Sequence, residues 1–273
     1  MRKLFAWIAI ASVLVVCSSV FVRPVLAKDD SLQRVLKSGV LRVVTAADNP
    51  PKEFHLMRDG KDEIVGFDID IAKHIAESLG VRLEITDMQF KGIVPSIRNG
   101  EFDMAMAGFN PTEERKRVVA FSHSYHVLPF VLLARKDMAD SLTSVSSLDG
   151  KSVGVQMGST QEKILDEYVP RCRKIALGKL PEVIMELNEG TIDAALVGWL
   201  TAQNYMHNYP ELTVADIDIV VPEDKTGQAI VFPKDSHALV DKVNDILADM
   251  KAKGEITQLL EKNIALAREA GQN

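Results

Sequence analysis

Gly66-Phe67-Asp68-Ile69-Asp70-Ile71, continued by AKHIAESLG to Gly80, reads as a tight turn entering a short amphipathic helix. Gly66 permits the turn, and Asp68 is placed to cap the helix by accepting from a free N–H near its start. Asp70 puts negative charge in the first turn, where the helix dipole favours it. Ile71, Ile75 and Leu79 recur every four residues with Ala72 and Ala76 beside them, giving one face to bury. Gly80 is a natural C-terminal stop, because a residue that takes the left-handed conformation easily can satisfy the last carbonyls.

Outward from this helix, strand-like and helix-like segments alternate, which points to an α/β fold. Leu41–Thr45, Leu83–Thr86, Phe102–Ala107, Phe130–Ala134, Ser152–Gln156, Ile192–Val197 and Gln228–Phe232 read as short strands. Helical stretches end at glycines: Ser31–Ser38 before Gly39, Val94–Asn99 before Gly100, Pro181–Glu189 before Gly190. A long helical pattern, Asp235–Lys253, follows the last strand, then Gly254 and a final short helix. There is no repeat and no flexible linker. Two lobes would therefore be joined by strand-like crossovers, with Tyr125–Pro129 and Val221–Gly227 as the candidates. The expected division is a leader over 1–27, a first lobe over 28–125, a second lobe over 126–225, and a return to the first lobe over 226–273.

The leader is expected from Arg2 and Lys3 ahead of an apolar run, Leu4 to Val22, with Val25-Leu26-Ala27 offering a cleavage site. An anchored form is the alternative: the run is about long enough to span a bilayer, although Val16 before Cys17 makes a poor lipidation site. Cleavage after Ala27 removes three cations and no acid, so the net charge falls from −6 to −9. An acidic chain without a basic cluster argues against nucleic acid as a partner. Cys172 is then the lone cysteine, which excludes an intrachain disulfide and a zinc–thiolate site.

Four further blocks join the opening one. They are FKGIVPSIRNGEFDMAMAGFNPTEERKRVVAFS (Phe90–Ser122), KSVGVQMGSTQEK (Lys151–Lys163), GTIDAALVG (Gly190–Gly198) and GQAIVFPKDSHALVDKVNDILADMKAKGEI from Gly227. These motifs are collinear and cover essentially the whole mature chain. Together with GFDID they resemble the bacterial extracellular solute-binding proteins of family 3, the periplasmic receptors of polar amino acid ABC transporters.

The resemblance implies a two-lobe clamp of the type II periplasmic-binding-protein kind, with a central ligand cleft and two crossover strands. It further implies a monomer that closes on a small carboxylate-bearing solute, docks on the permease subunits of an importer, and needs no cofactor.

The resemblance also nominates residues. Arg115, in Thr112-Glu113-Glu114-Arg115, matches an arginine that pairs with the ligand α-carboxylate, a role that suits a planar guanidinium. Thr112 reads as the N-cap of the short helix carrying it. Ser159, Thr160 and Gln161 open a helix after a strand, where free N–H groups and two hydroxyls converge. Ala107, Gly108 and Asn110 match a segment offering backbone carbonyls and a hydroxyl, with Asn110 replacing the usual serine or threonine. Phe90 matches an aromatic that stacks on the ligand, and Trp199 could add a second face.

Two departures matter. Ala46 stands where amino-acid binders carry an acid after the first strand, with Asn49 in place of an aromatic, and Gly198 replaces the second-lobe acid. A buried unpaired ammonium is costly, so the solute either recruits Asp48 or Glu53 or lacks an α-ammonium, being a carboxylic acid or a cation held by aromatic faces such as Trp199 and Phe90. Some relatives on this scaffold are cyclohexadienyl dehydratases; Glu162 is the one candidate for the general acid such chemistry needs. A docked sensory module is a third alternative. His123 and His126 lack a third ligand nearby and read as surface or hinge histidines rather than a metal site.

Overall fold

Leu41 and Val43 turn to one side of strand Val40–Thr45 and Val44 to the other, and all three are fully buried. That is the mark of a central parallel strand with helices on both faces. The computed structural model describes residues 29–271 except 218, 220, 223 and 224, so the expected leader with Cys17 and part of the second expected crossover lie outside the described residues. The strand order of the first sheet is Arg82–Asp87, Val40–Thr45, Met104–Ala105, Val231–Pro233, Val119–Phe121. The first three are parallel, and Val231–Pro233 runs antiparallel to both its neighbours.

A second sheet repeats this plan in the order Arg173–Leu177, Ser152–Gln156, Ala194–Gly198, Phe130–Arg135, Leu212–Val214. Here Ala194 and Leu196 face one apolar cluster, Ala195 and Val197 the other. The chain is a mixed α/β protein of two such sheets. Between them it passes through Phe121–Phe130 outward and Val214–Val231 back. There His126–Val127 pairs antiparallel with Gly227–Gln228, joining the two passages. Among the described residues no helix is long and apolar enough to cross a membrane.

The opening helix runs over Phe67–Leu79 and ends on Gly80 in the left-handed conformation, as its pattern predicts. Its start differs from the expectation. Gly66 is the N-cap and no side chain caps it. Asp68 is wholly buried and turns inward, accepting from Gly108 N–H at 3.0 Å and Tyr125 O–H at 2.9 Å. Asp70 instead pairs with Lys262 at 2.8 Å and accepts from Asn263.

Other elements also depart from the pattern. The apolar run Gln228–Phe232 is not one strand: Gln228 pairs with the crossing and Val231 with the first sheet. The final helix is long, Glu255–Ala270, and packs on Phe67–Leu79 and on Trp199–Asn208. A hairpin, Glu53–Arg58 with Lys61–Val65, turns on Asp59-Gly60 beside the first sheet.

Gly66 has φ 133° and ψ 175°, and a Cβ there would lie 2.2 Å from the Lys52 carbonyl oxygen. Gly80 has φ 67° but open space around it. Gly66→Ala should therefore lower the unfolding free energy by about 3 kcal/mol or more, combining backbone strain with a clash that backbone must relieve. Gly80→Ala should lower it by only about 1 kcal/mol. Urea unfolding of the two variants checks this, and equal losses would contradict it.

Candidate functional site

In open α/β sheets, ligands bind beyond the carboxyl ends of the parallel strands. Those ends face each other here. From the first sheet come the turn after Thr45 and the loop after Ala105; from the second come the turn after Gln156 and the end of strand Ala194–Gly198. Polar contacts close the gap. Asp48 accepts from Gln156 Nε2 at 3.0 Å and from Leu180 N–H at 3.3 Å, and Thr201 Oγ1 donates to Asn49 Oδ1 at 2.8 Å.

The enclosed inner cavity measures about 40 Å³, room for a few waters. Ala107, Gly108, Asn110, Phe90, Ser159, Thr160 and Gln161 all line it. Asn110 is buried, and its Nδ2 donates to Gly227 O at 3.0 Å. Ser159 is the N-cap of Thr160–Tyr168, accepting from Glu162 N–H, and Glu162 Oε2 in turn accepts from Gly158 N–H at 2.7 Å. Trp199 lines neither this cavity nor the pocket outside it; its N–H donates to Pro129 O at the start of helix Trp199–Asn208.

An outer pocket of about 440 Å³ shares Phe90, Ser159 and Thr160 with the cavity and is lined also by Arg115 and Phe109. Thr112 caps the short helix Glu113–Lys116, accepting from Arg115 N–H. This aims the guanidinium across the gap. It donates to Asn110 O at 3.1 Å on its own side, and to Gly158 O at 2.9 Å and Thr160 Oγ1 at 3.3 Å on the other. Phe109 and Phe90 are stacked with centroids 4.6 Å apart, and Arg115 Cζ lies 5.0 and 5.7 Å from their centroids, a cation–π arrangement. Burial brings the guanidinium down to about 10, which leaves it a cation at neutral pH. Among the described residues no carboxylate lies within ion-pair distance of it.

A family profile for bacterial extracellular solute-binding proteins, family 3, matches residues 41–265. The chain belongs to this family. As a family 3 solute-binding protein, it is 33% identical over 233 residues to the arginine-binding extracellular protein ArtP of Bacillus subtilis (strain 168), covering 83% of this chain and 87% of the relative. It is 27% identical to a cyclohexadienyl dehydratase of Pseudomonas aeruginosa, covering 77% of each. Among solved structures, an amino acid ABC transporter substrate-binding protein from Streptococcus pneumoniae Canada MDR_19A, bound to L-arginine, superposes with a TM-score of 0.83 at 31% identity, over 86% of this chain and 98% of that one. The family is mostly non-enzymatic, although it includes that dehydratase.

Reading the sequence alone misses several residues of this candidate site, Phe109, Gln156, Gln228 and Lys52 among them. Phe109 completes the aromatic platform; its signal was its place between Gly108 and Asn110. Gln156, Gln228 and Lys52 line the inner cavity and carry no local mark of doing so. Neither Asp48 nor Glu53, the acids expected to serve an ammonium, lines the cavity. Asp48 is engaged by Gln156 and Leu180. Glu53 is buried behind, where burial first and then the charge of Asp68 push its carboxyl well above the usual range. Burial also raises Asp68, against the opposing field of Lys52.

An acid raised on folding stabilises the native state fully below its unfolded value, and loses that contribution as pH climbs through the folded value. The stability difference between wild type and Glu53→Gln should accordingly shift against wild type as pH rises from about 4 upward. Urea midpoints across a pH series measure it. Parallel pH curves for the two proteins would refute the raised Glu53 carboxyl.

Proposed function

We propose that this chain is the solute receptor of an ABC importer, and that it binds an amino acid or related small carboxylate as its two lobes close. The observation that carries the reading is Arg115: a partly buried cation, without a carboxylate within ion-pair distance, stacked on Phe109 and Phe90 and reaching the opposing helix start at Ser159–Thr160. A carboxylate accepting from Arg115 and from the first N–H groups of Thr160–Tyr168 would be held from both sides at once. Closure then follows the solute, because only the closed state offers both sets of donors.

Phe90, Ala107, Gly108, Asn110, Ser159, Thr160 and Gln161 complete the proposed contacts; Trp199 is left out. Lobe boundaries near 125 and 226, a monomeric state and a periplasmic location reached through the amino-terminal leader belong to the same proposal. The names of the relatives, an arginine-binding extracellular protein and an arginine-bound transporter component, support import of solutes of this general class.

The dehydratase reading has less support. Glu162 is occupied by Gly158 N–H and lies 3.5 Å from Lys174, and no acid lines the inner cavity. Incubation with prephenate should give no phenylpyruvate absorbance. In a thermal-shift screen of amino acids and organic acids, a carboxylate-bearing compound should raise the Tm, and Arg115→Ala should weaken its binding by about 2–5 kcal/mol. Undiminished binding by that variant would sink the carboxylate assignment.

A further inference from the structure

Among the described residues, Lys52 is the single charged one lining the inner cavity. The residue is 6% exposed, it makes no ion pair within 4 Å among the described residues, and its charge acts on the buried carboxyls of Asp68 and Glu53 and on that of Asp48. Its position is fixed by Gly108: a Cβ added there would sit 2.4 Å from Lys52 Nζ, so this glycine leaves the space that the ammonium fills. Gln228 turns its amide nitrogen toward the same point, 3.5 Å from it, while its Oε1 is buried without a partner. Two donors thus converge over Gly108.

Asp68 lies beneath and contributes a favourable field. Both its oxygens are already engaged, by Gly108 N–H and Tyr125 O–H. What would complete the geometry is an acceptor on the cavity side, and a buried ammonium is strongly favoured by an anionic one. The same wall is hostile to cations. Gly198 on this wall, and Ala46 behind it, stand where the resemblance expects acids to meet an ammonium, and among the described residues the only charged side chain lining the cavity is positive.

We infer that the solute is a small diacid without an α-ammonium, one carboxylate on Arg115 and the second seated over Gly108 between Lys52 Nζ and Gln228 Nε2. This rests on the proposed carboxylate contact at Arg115, and it narrows the solute class. Phe90, Ser159 and Thr160 line both the cavity and the outer pocket, so one short chain could reach from one cation to the other.

The test is calorimetric titration of the purified full chain, after exhaustive dialysis, with succinate, glutarate, adipate, butyrate, L-glutamate and L-arginine. Wild type should bind at least one diacid more tightly than butyrate, L-glutamate and L-arginine. Lys52→Met should weaken that diacid by about tenfold or more while Lys52→Arg retains most of the affinity, and Arg115→Ala should weaken it too. Circular dichroism and Tm without solute establish that each variant is folded. If Lys52→Met does not fold, the rank order of solutes on wild type decides alone.

Tighter binding of L-arginine or L-glutamate than of every diacid overturns the inference, as does undiminished diacid binding by a folded Lys52→Met. If amino acids or butyrate bind in an Arg115-dependent way and no diacid does, Lys52 is structural and the Arg115 contact stands. If nothing in the panel binds, or binding ignores Arg115→Ala, the carboxylate reading and this inference fail together.

Discussion

A carboxylate removed wholly from water must find donors or a proton, and in this protein that requirement falls on Asp68. It meets it by drawing together separated parts of the chain: Gly108 from the loop after the third parallel strand, Tyr125 from the first crossing, and Glu53 from the hairpin edge. Phe67, one residue earlier, packs its ring against Tyr125 and His126. The start of one helix therefore fixes the floor of the cleft and the root of the crossing together. Gly66 makes this possible by letting the chain lie directly against the Lys52 backbone.

How much of this was legible depended on the distance over which each residue acts. Periodic features were readable: the buried stripe of Ile71, Ile75 and Leu79, the glycine stops, the parallel strands. So were local constellations such as Thr112 with Arg115, and Ser159 opening its helix, because cap and helix are adjacent in sequence. Asp68 was misread as a cap for the same reason: its real partners lie 40 and 57 residues away, and the nearest N–H groups were the obvious candidates. Gln228–Phe232 looked like one strand because an apolar run carries no sign of a change of pairing partner. The hairpin at Asp59-Gly60 was missed because its flanks are charged and exposed rather than alternating.

Within the site, the motif residues were legible and the tuning residues were not. Arg115 is recognisable by its surroundings in sequence. Lys52 follows two prolines and resembles any surface lysine until the fold lays it over Gly108. The absences at Ala46 and Gly198 raised the question of charge, and only the three-dimensional lining shows that a cation rather than an alternative acid stands in the cavity. The chain carries a net charge of −6 while Arg115 and Lys52 face the pocket and the cavity, so a field that draws an anion is local to those two groups.

Helix Glu255–Ala270, which belongs by sequence to the returning segment, touches both Phe67–Leu79 and Trp199–Asn208, and so spans the two halves of the molecule away from the cavity. Ile264 and Arg268 of this helix line a small crevice with Leu200 and Asn204 of helix Trp199–Asn208. The grip on a solute is the product of its own contacts and the fraction of molecules already shut. A helix that touches both halves makes contacts which any movement of one half against the other must disturb, and it does so without lending a side chain to the inner cavity.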